Sequence, residues 1–202
     1  MLSVTRAFPP FLRGVFAVED LSASRATIAV IDPAGNILWV NAAWHDFARR
    51  NGAGPAADSW ASYFAAIAPP LCDYYRAAFA NALATGDVFE QEYECSSGDE
   101  LRRFHLRAMP IAGHGLVVEH SLLVAQPHEL GSEDADEAAY RRDDGLVLQC
   151  SNCRRVRRAR EPVWDWVPSL VVRQAQSVSH GICKSCVGFY FGDWREKNAA
   201  TG

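Results

Sequence analysis

Apolar positions in the first two thirds of the chain recur with two different periods. In "VFEQEYEC", Phe89, Gln91, Tyr93 and Cys95 alternate with Glu90, Glu92 and Glu94; in "RFHLRAM", Phe104, Leu106 and Ala108 alternate with Arg103, His105 and Arg107. Alternation of this kind marks strands with one buried face. The acidic face of the first strand is the natural neighbour of the basic face of the second, worth about 0.2–1 kcal/mol per cross-strand pair. "SSGDE" supplies the turn between them, and "HGLVVEHSLLV" reads as a third strand. Upstream, "ATIAVIDPAGNILWVN" is two short strand-like runs around the turn residues Asp32, Pro33, Ala34, Gly35 and Asn36. The period then becomes helical. "AAWHDFARRNG" places Trp44, Phe47 and Ala48 on one side and stops at Asn51-Gly52. "PPLCDYYRAAFANALATGD" lines up Leu71, Tyr75, Phe79 and Ala82 between initiating prolines and Gly86. Residues 53–60 read as a loop. The order β-β-α-α-β-β-β predicts an α+β fold, an antiparallel sheet with helices on one face.

Composition narrows the class without changing that picture. Of 202 residues, 49% are hydrophobic and 22% charged, as in soluble globular chains. No apolar run approaches the roughly 18 to 20 residues of a membrane helix. Pro9, Pro10 and Arg13 interrupt any signal-peptide core. The expectation is a cytoplasmic protein with no membrane partner. The net charge of −4 hides a segregation. Residues 1–128 carry nine basic and thirteen acidic side chains, residues 129–149 two and seven, and residues 150–202 nine and four. A basic module thus follows an acidic protein.

The stretch "TIAVIDPAGNILWVNAAWHDFARRNG", with "VFEQEYECSSGDELRRFHLRAMPI" and "GLVVEHSLL" after it, resembles a bacterial PAS sensory domain. The likeness spans about residues 24–125 and is carried by "VNAAW…FA…NG" and by the "F..EY.C…R.F.LR..P" strands. It implies a small-molecule or cofactor cavity between sheet and helices, with Trp44, Tyr93, Phe104 and His120 as candidate lining residues. It also implies dimerisation through flanking helices. Residues 1–23 are read as an N-terminal extension and 126–144 as an acidic linker, with a short helix over 133–142. That linker is either a solvated spacer or a helix that transmits motion of the sensory domain.

The remaining chemistry lies in residues 145–196, before a tail at 197–202. "CSNC" and "SHGICKSC" form the pattern C-x2-C-x29-C-x2-C from Cys150, Cys153, Cys183 and Cys186. Each CxxC turns two thiolates towards one point, and two such knuckles complete the tetrahedron that zinc prefers. A four-thiolate zinc centre carries a charge near −2, and Arg154, Arg155, Arg157, Arg158 and Arg160 stand beside it. Arg154 and Arg155 are the candidates to answer that charge. His180 is a candidate neighbour of the metal or an alternative ligand with Cys183. Trp164, Trp166, Val171, Val172, Val187, Phe189, Tyr190 and Phe191 are the expected apolar shell of a zinc-ribbon-like module. The segment 145–194 also resembles a C-terminal module that follows PAS and receiver domains in bacterial signalling proteins, through "GLVLQCSNCRRVR", a central "W.W" and "SHGICKSCVGFYF". Lys184 stands where that family usually has proline. The likeness carries an architecture rather than an activity.

His120 shares a face with Leu116, Val118 and Leu122, which fits a core histidine or, alternatively, a cavity or haem ligand. His105 lies on the arginine face and is expected exposed, and His45 forms no pattern. Cys72 and Cys95 read as small half-buried residues. The Asn-Cys-Arg-Phe motif of light-sensing flavin domains is not found, so a photosensor is not expected. The expected exposure of His105 argues against it as a haem ligand, and with neither flavin nor haem expected the sensory ligand is unidentified. No phosphate-binding, nucleophile-elbow or HExxH motif occurs. The expectation is a non-catalytic signalling protein, in a homodimer, whose zinc module meets a partner protein. The alternatives are a nucleic-acid-binding regulator, from the arginine run, and a thiol redox switch.

Overall fold

A computed structural model describes residues 7–52, 62–67, 71–97, 100–127, 136–172 and 177–199. The loop expected at 53–60, the centre of the "SSGDE" turn and the start of the linker helix lie outside these residues. So do the side chains of Val171 and Val172. The chain divides into two compact units. One takes residues 1–68, 72–93 and 102–125, and the other takes residues 69–71, 94–101 and 126–202.

The first unit is built on five strands: β1 (Thr27–Ile31), β2 (Ile37–Val40), β3 (Phe89–Glu94), β4 (Glu100–Ile111) and β5 (Gly115–Pro127), in the order β2-β1-β5-β4-β3. β1 pairs antiparallel with both β2 and β5, with Val30 opposite Trp39 on one side and opposite Val117 on the other. The expected pairing of acidic and basic faces forms: Arg103 meets Glu92 at 2.6 Å and Arg107 meets Glu90 at 2.8 Å. About half of each side chain remains in solvent, so these pairs fix register more than they stabilise. At the β1–β2 turn Asp32 accepts hydrogen bonds from the amides of Ala34 and Asn36 and from Asn36 Nδ2. Gly35 takes a φ of +87°, and a Cβ there would run into the Phe64 ring.

Strand alternation gives the sheet two faces. On one side, Ala29, Ile31, Phe104, Leu106, Leu116 and Val118 are buried. The helices α2 (Ala42–Arg50) and α3 (Cys72–Thr85) supply the expected helical layer. Helix α2 starts at Asn41, whose Oδ1 accepts from the Trp44 amide, and ends at Asn51. Helix α3 buries Tyr75, Phe79 and Ala82, the stripe read from its period. The other face is also covered. Leu12 and Leu21, the latter in α1 (Val18–Ala23), form one cluster with Ile28, Val30, Trp39 and Val117. Phe8 packs edge-on against Trp39 and Phe11 stacks on His114. The described part of the segment read as an N-terminal extension therefore contributes to the hydrophobic core.

The second unit holds a four-stranded sheet in the order β8-β7-β6-β9. Its strands are β6 (Val147–Cys150), β7 (Val156–Arg157), β8 (Trp164–Asp165) and β9 (Val178–Gly181), with α4 (Pro168–Val172) before β9 and α5 (Lys184–Ala199) after it. Its core is Tyr140, Val147, Val156, Val167 and Leu170. The sequence placed Phe189 in this apolar shell, yet it is 59% exposed. It sits off the α5 face shared by Cys186 and Tyr190, which are buried one turn apart. Conversely Tyr140, inside the segment read as linker, is buried, and its hydroxyl donates to Asp165 Oδ2 at 2.8 Å. Among the described residues of the linker, Glu137–Ala139 form a 3-10 turn. No described helix is long and apolar enough to cross a membrane.

Candidate functional site

Strands β6 and β9 run parallel, with Cys150 opposite Gly181. Each strand runs straight into a CxxC, so parallel pairing in register delivers both knuckles to the same end of the sheet. The knuckles are then stitched together. The amide and hydroxyl of Ser151 both donate to the Gly181 carbonyl, at 2.8 and 3.0 Å, and the Cys183 amide approaches Cys150 Sγ at 3.4 Å. The first knuckle closes through Arg154, which takes the left-handed conformation at φ +62° and donates its amide to the Cys150 carbonyl at 3.1 Å.

The sulfurs of Cys150, Cys153, Cys183 and Cys186 lie within 4.8 Å of one another, and all four residues are buried. Metal–thiolate bonds of about 2.3 Å in a tetrahedron require sulfur–sulfur edges of about 3.8 Å. Cys153 and Cys183 stand 3.7 Å apart. The four buried thiols interact so closely that ionising one opposes ionising its neighbours. Four thiolates in so small a volume ionise together only around a cation. The donor set, the burial and the spacing therefore fit a metal that takes four soft ligands.

The neighbours expected from the sequence divide. Arg155 faces the cluster: burial pulls its pKa down, but the hydrogen bond to Cys153 and the charges of Cys153, Glu94 and Cys183 raise it overall. Arg154 serves through its backbone, and its Nη1 donates to the Ser96 carbonyl at 3.2 Å. Arg158 is held by Asp165 and Glu161 at 2.7 and 3.2 Å. His180 is exposed on β9 opposite Gln149 and is not among the clustered ligands. The sequence reading missed Asn152, whose Nδ2 lies 3.3 Å from Cys186 Sγ, and Tyr190, whose hydroxyl donates to Asn152 Oδ1 at 2.8 Å. The helical spacing of Cys186 and Tyr190 was the one available signal.

In the first unit, Tyr93, Phe104 and His120 come together. Tyr93 stacks on Phe104 with centroids 5.6 Å apart, and its hydroxyl lies 2.8 Å from His120 Nδ1. Trp44 lies 6.3 Å from Tyr63 between ring centroids. Tyr63, which no pattern singled out, places its hydroxyl 2.9 Å from His120 Nε2. Burial lowers the His120 pKa to about 4, so the ring is neutral. A groove of about 420 Å³ opens elsewhere, beside the β1–β2 turn, lined by Ile31, Asp32, Phe64, Arg76, Phe79 and Leu116 among others. None of Trp44, Tyr93, Phe104 and His120 lines it. The Arg76 guanidinium lies 4.2 Å over the Phe64 ring.

A five-stranded antiparallel sheet with helices packed on it, joined to a small sheet that gathers four cysteines, defines an α+β protein of the PAS type with a candidate metal module. A family model described as the PAS fold matches residues 21–128, and the chain belongs to that family. No curated protein matches the chain by sequence. Among solved structures, the phage VqmA–DPO complex is similar at 10% identity and a TM-score of 0.43, covering 56% of this chain and 53% of that one. The chain thus spans about half the length of that protein. The Vibrio cholerae VqmA dimer, described with the LuxR-type receptors, is similar at 9% identity and a TM-score of 0.39, covering 89% and 79%. A domain of an HTR-like protein from Haloarcula marismortui ATCC 43049 is 20% identical, with a TM-score of 0.35 and coverage of 52% and 99%. At these TM-scores the likenesses carry no functional weight.

Proposed function

We propose that the protein is a non-catalytic, cytoplasmic signalling protein, in which a PAS domain senses a small ligand or redox cue and a zinc module contacts a partner protein. The observation that carries the reading is the set of four buried sulfurs within 4.8 Å, attached to a PAS domain. Zinc would be held by Cys150, Cys153, Cys183 and Cys186, with Arg155 offsetting part of its thiolate charge. Four protein ligands leave no open position for substrate, so the metal's contribution is to hold the module folded. The groove beside the β1–β2 turn and the Tyr63–His120–Tyr93 group are places where the sensory unit offers polar groups next to apolar walls. A homodimer is part of the proposal.

A nucleic-acid role draws less support from the arginine run than its sequence suggests. Arg155 faces the cysteines, Arg154 reaches Ser96 and Arg158 is paired with two carboxylates. Metal analysis of protein purified without added metal, together with an absorption spectrum, native mass and partner capture, tests the proposal. One zinc per chain, a colourless sample, a dimer and a partner lost when Cys183 is changed to serine are expected. Iron, haem colour or no metal would overturn it, as would DNA retention that falls steeply with salt.

A further inference from the structure

The two knuckles are joined by a chain of hydrogen bonds that metal ligation alone does not require. Asn152 lies between the cysteines of the first knuckle, yet its side chain reaches the second. Nδ2 stands 3.3 Å from Cys186 Sγ, and Oδ1 accepts from the Tyr190 hydroxyl at 2.8 Å. Cys186 and Tyr190 are four residues apart, so they share one face of α5. The amide therefore spans one turn of α5 from the opposite knuckle. Electrostatics fix which way it points. A thiolate repels an amide oxygen and accepts from an amide N–H, so Nδ2 must face the sulfur and Oδ1 is left for the tyrosine.

All four sulfurs receive a donor. The Cys183 amide serves Cys150 and the Cys186 amide serves Cys183. The Arg155 side chain serves Cys153, and the Asn152 side chain serves Cys186. Two donors are backbone groups belonging to the knuckles themselves. The other two are side chains, and Asn152 is held in place by a second hydrogen bond, from a tyrosine that is 8% exposed.

We infer that Asn152 and Tyr190 are positioning residues of the metal centre. Asn152 draws electron density from the Cys186 thiolate and holds its sulfur on the metal. Tyr190 acts through Asn152 by fixing the amide. Together they slow metal release and dock the first turns of α5 onto the first knuckle. The inference rests on the zinc reading.

The test uses the full chain loaded with zinc or cobalt(II), comparing wild type with N152A, N152D, Y190F, N152A/Y190F and S151A. Transfer of zinc to a chromophoric chelator should be about 10- to 100-fold faster in N152A, the usual effect of losing an outer partner of a metal ligand. N152D, which puts a carboxylate against the thiolate, should be faster still. Y190F should show a smaller increase, and the double variant should match N152A, because the Tyr190 hydroxyl acts on the Asn152 amide. The thiolate-to-cobalt absorption band should shift in N152A and Y190F but not in S151A, which loses a hydroxyl that donates to the Gly181 carbonyl. Should N152A take up no cobalt, Y190F, which lacks a single oxygen, carries the test. Release within twofold of wild type with unmoved bands would overturn the inference, as would additive effects in the double variant. Wild-type protein that takes up neither metal would overturn the zinc reading itself.

Discussion

The hydroxyl of Tyr63 stands 2.9 Å from Nε2 of His120, and Tyr93 occupies the other ring nitrogen at 2.8 Å, so both polar atoms of a neutral histidine are satisfied inside the first unit. Register places His120 opposite Thr27 on the face that carries Ala29, Leu116 and Val118. An imidazolium there has no carboxylate among its two hydrogen-bond partners, and burial lowers its pKa from 6.5 to about 4. The folded state thus binds this proton less readily than the unfolded state. Its contribution is complete above about pH 6.5 and is lost as pH falls towards 4, by about 3 kcal/mol over the window. Urea unfolding of wild type and H120N between pH 7.5 and 4.5 measures it. The stability gap between them should narrow with acid; a gap independent of pH would contradict a neutral buried His120.

Asn41 makes a prediction that its role as a helix cap does not. It is 1% exposed, and its Oδ1 accepts from the amides of Ile28 and Trp44 at 3.1 and 3.0 Å. Its Nδ2 faces the carbonyls of Leu21, Ser24 and Ala26, closest at 2.9 Å to Ala26. One amide therefore ties the end of α1, the start of β1 and the first turn of α2. Asn41→Ala should cost about 2–4 kcal/mol, the sum of a lost cap and stranded buried backbone groups. Aspartate is as good an N-cap as asparagine in general, yet N41D turns a donor into a charge aimed at three carbonyls and should destabilise at least as much as alanine. Denaturant midpoints decide it; a mild N41D would reduce Asn41 to a cap.

What was legible in the sequence was whatever has a period or a fixed spacing. The Glu90/Glu92 and Arg107/Arg103 faces specified a strand pair, and the two CxxC motifs specified a cluster, because alternation and ligand spacing are local. The cover on the second sheet face was not legible. Phe8, Phe11, Leu12 and Phe16 are interrupted by Pro9 and Pro10 and follow neither a helical nor a strand period. Tyr63 was missed for the same reason, since it sits in a 3-10 turn at Tyr63–Ala66 rather than in a patterned helix. Asn152 was passed over as a spacer between ligands, because its partner lies 34 residues away. Phe189 was misplaced because an aromatic run on a helix distributes its members around the axis, and only one face is covered.

Metal removal should act on one unit and spare the other. The small core of Tyr140, Val147, Val156, Val167 and Leu170 cannot hold a sheet of two- and four-residue strands without help. Structural zinc supplies about 10–16 kcal/mol of apparent folding free energy in small peptides. With chelator, hydrogen exchange in β6 through β9 should rise by several orders of magnitude while β1 and β5 stay protected. Retained protection at Val147–Cys150 in metal-free protein would mean the module folds on packing alone.

Arg154 offers the cleanest separation of backbone from side chain. It is the one described non-glycine residue with positive φ, at +62°, directly after the second cysteine of the first knuckle. An L-residue pays about 1–2 kcal/mol to adopt this conformation, whereas glycine adopts it freely. Alanine and glycine both delete the side chain and its 3.2 Å bond to the Ser96 carbonyl, so their difference reports the backbone alone. Arg154→Gly should be more stable than Arg154→Ala by about 1 kcal/mol and should bind zinc correspondingly tighter, since the amide of residue 154 closes the turn on the Cys150 carbonyl. Arginine itself should fall between them if the Ser96 contact is worth a fraction of that amount. Thermal unfolding of the three metal-loaded proteins, with zinc competition alongside, measures both quantities. Equal stability of the glycine and alanine variants would mean that the first knuckle does not need the left-handed turn.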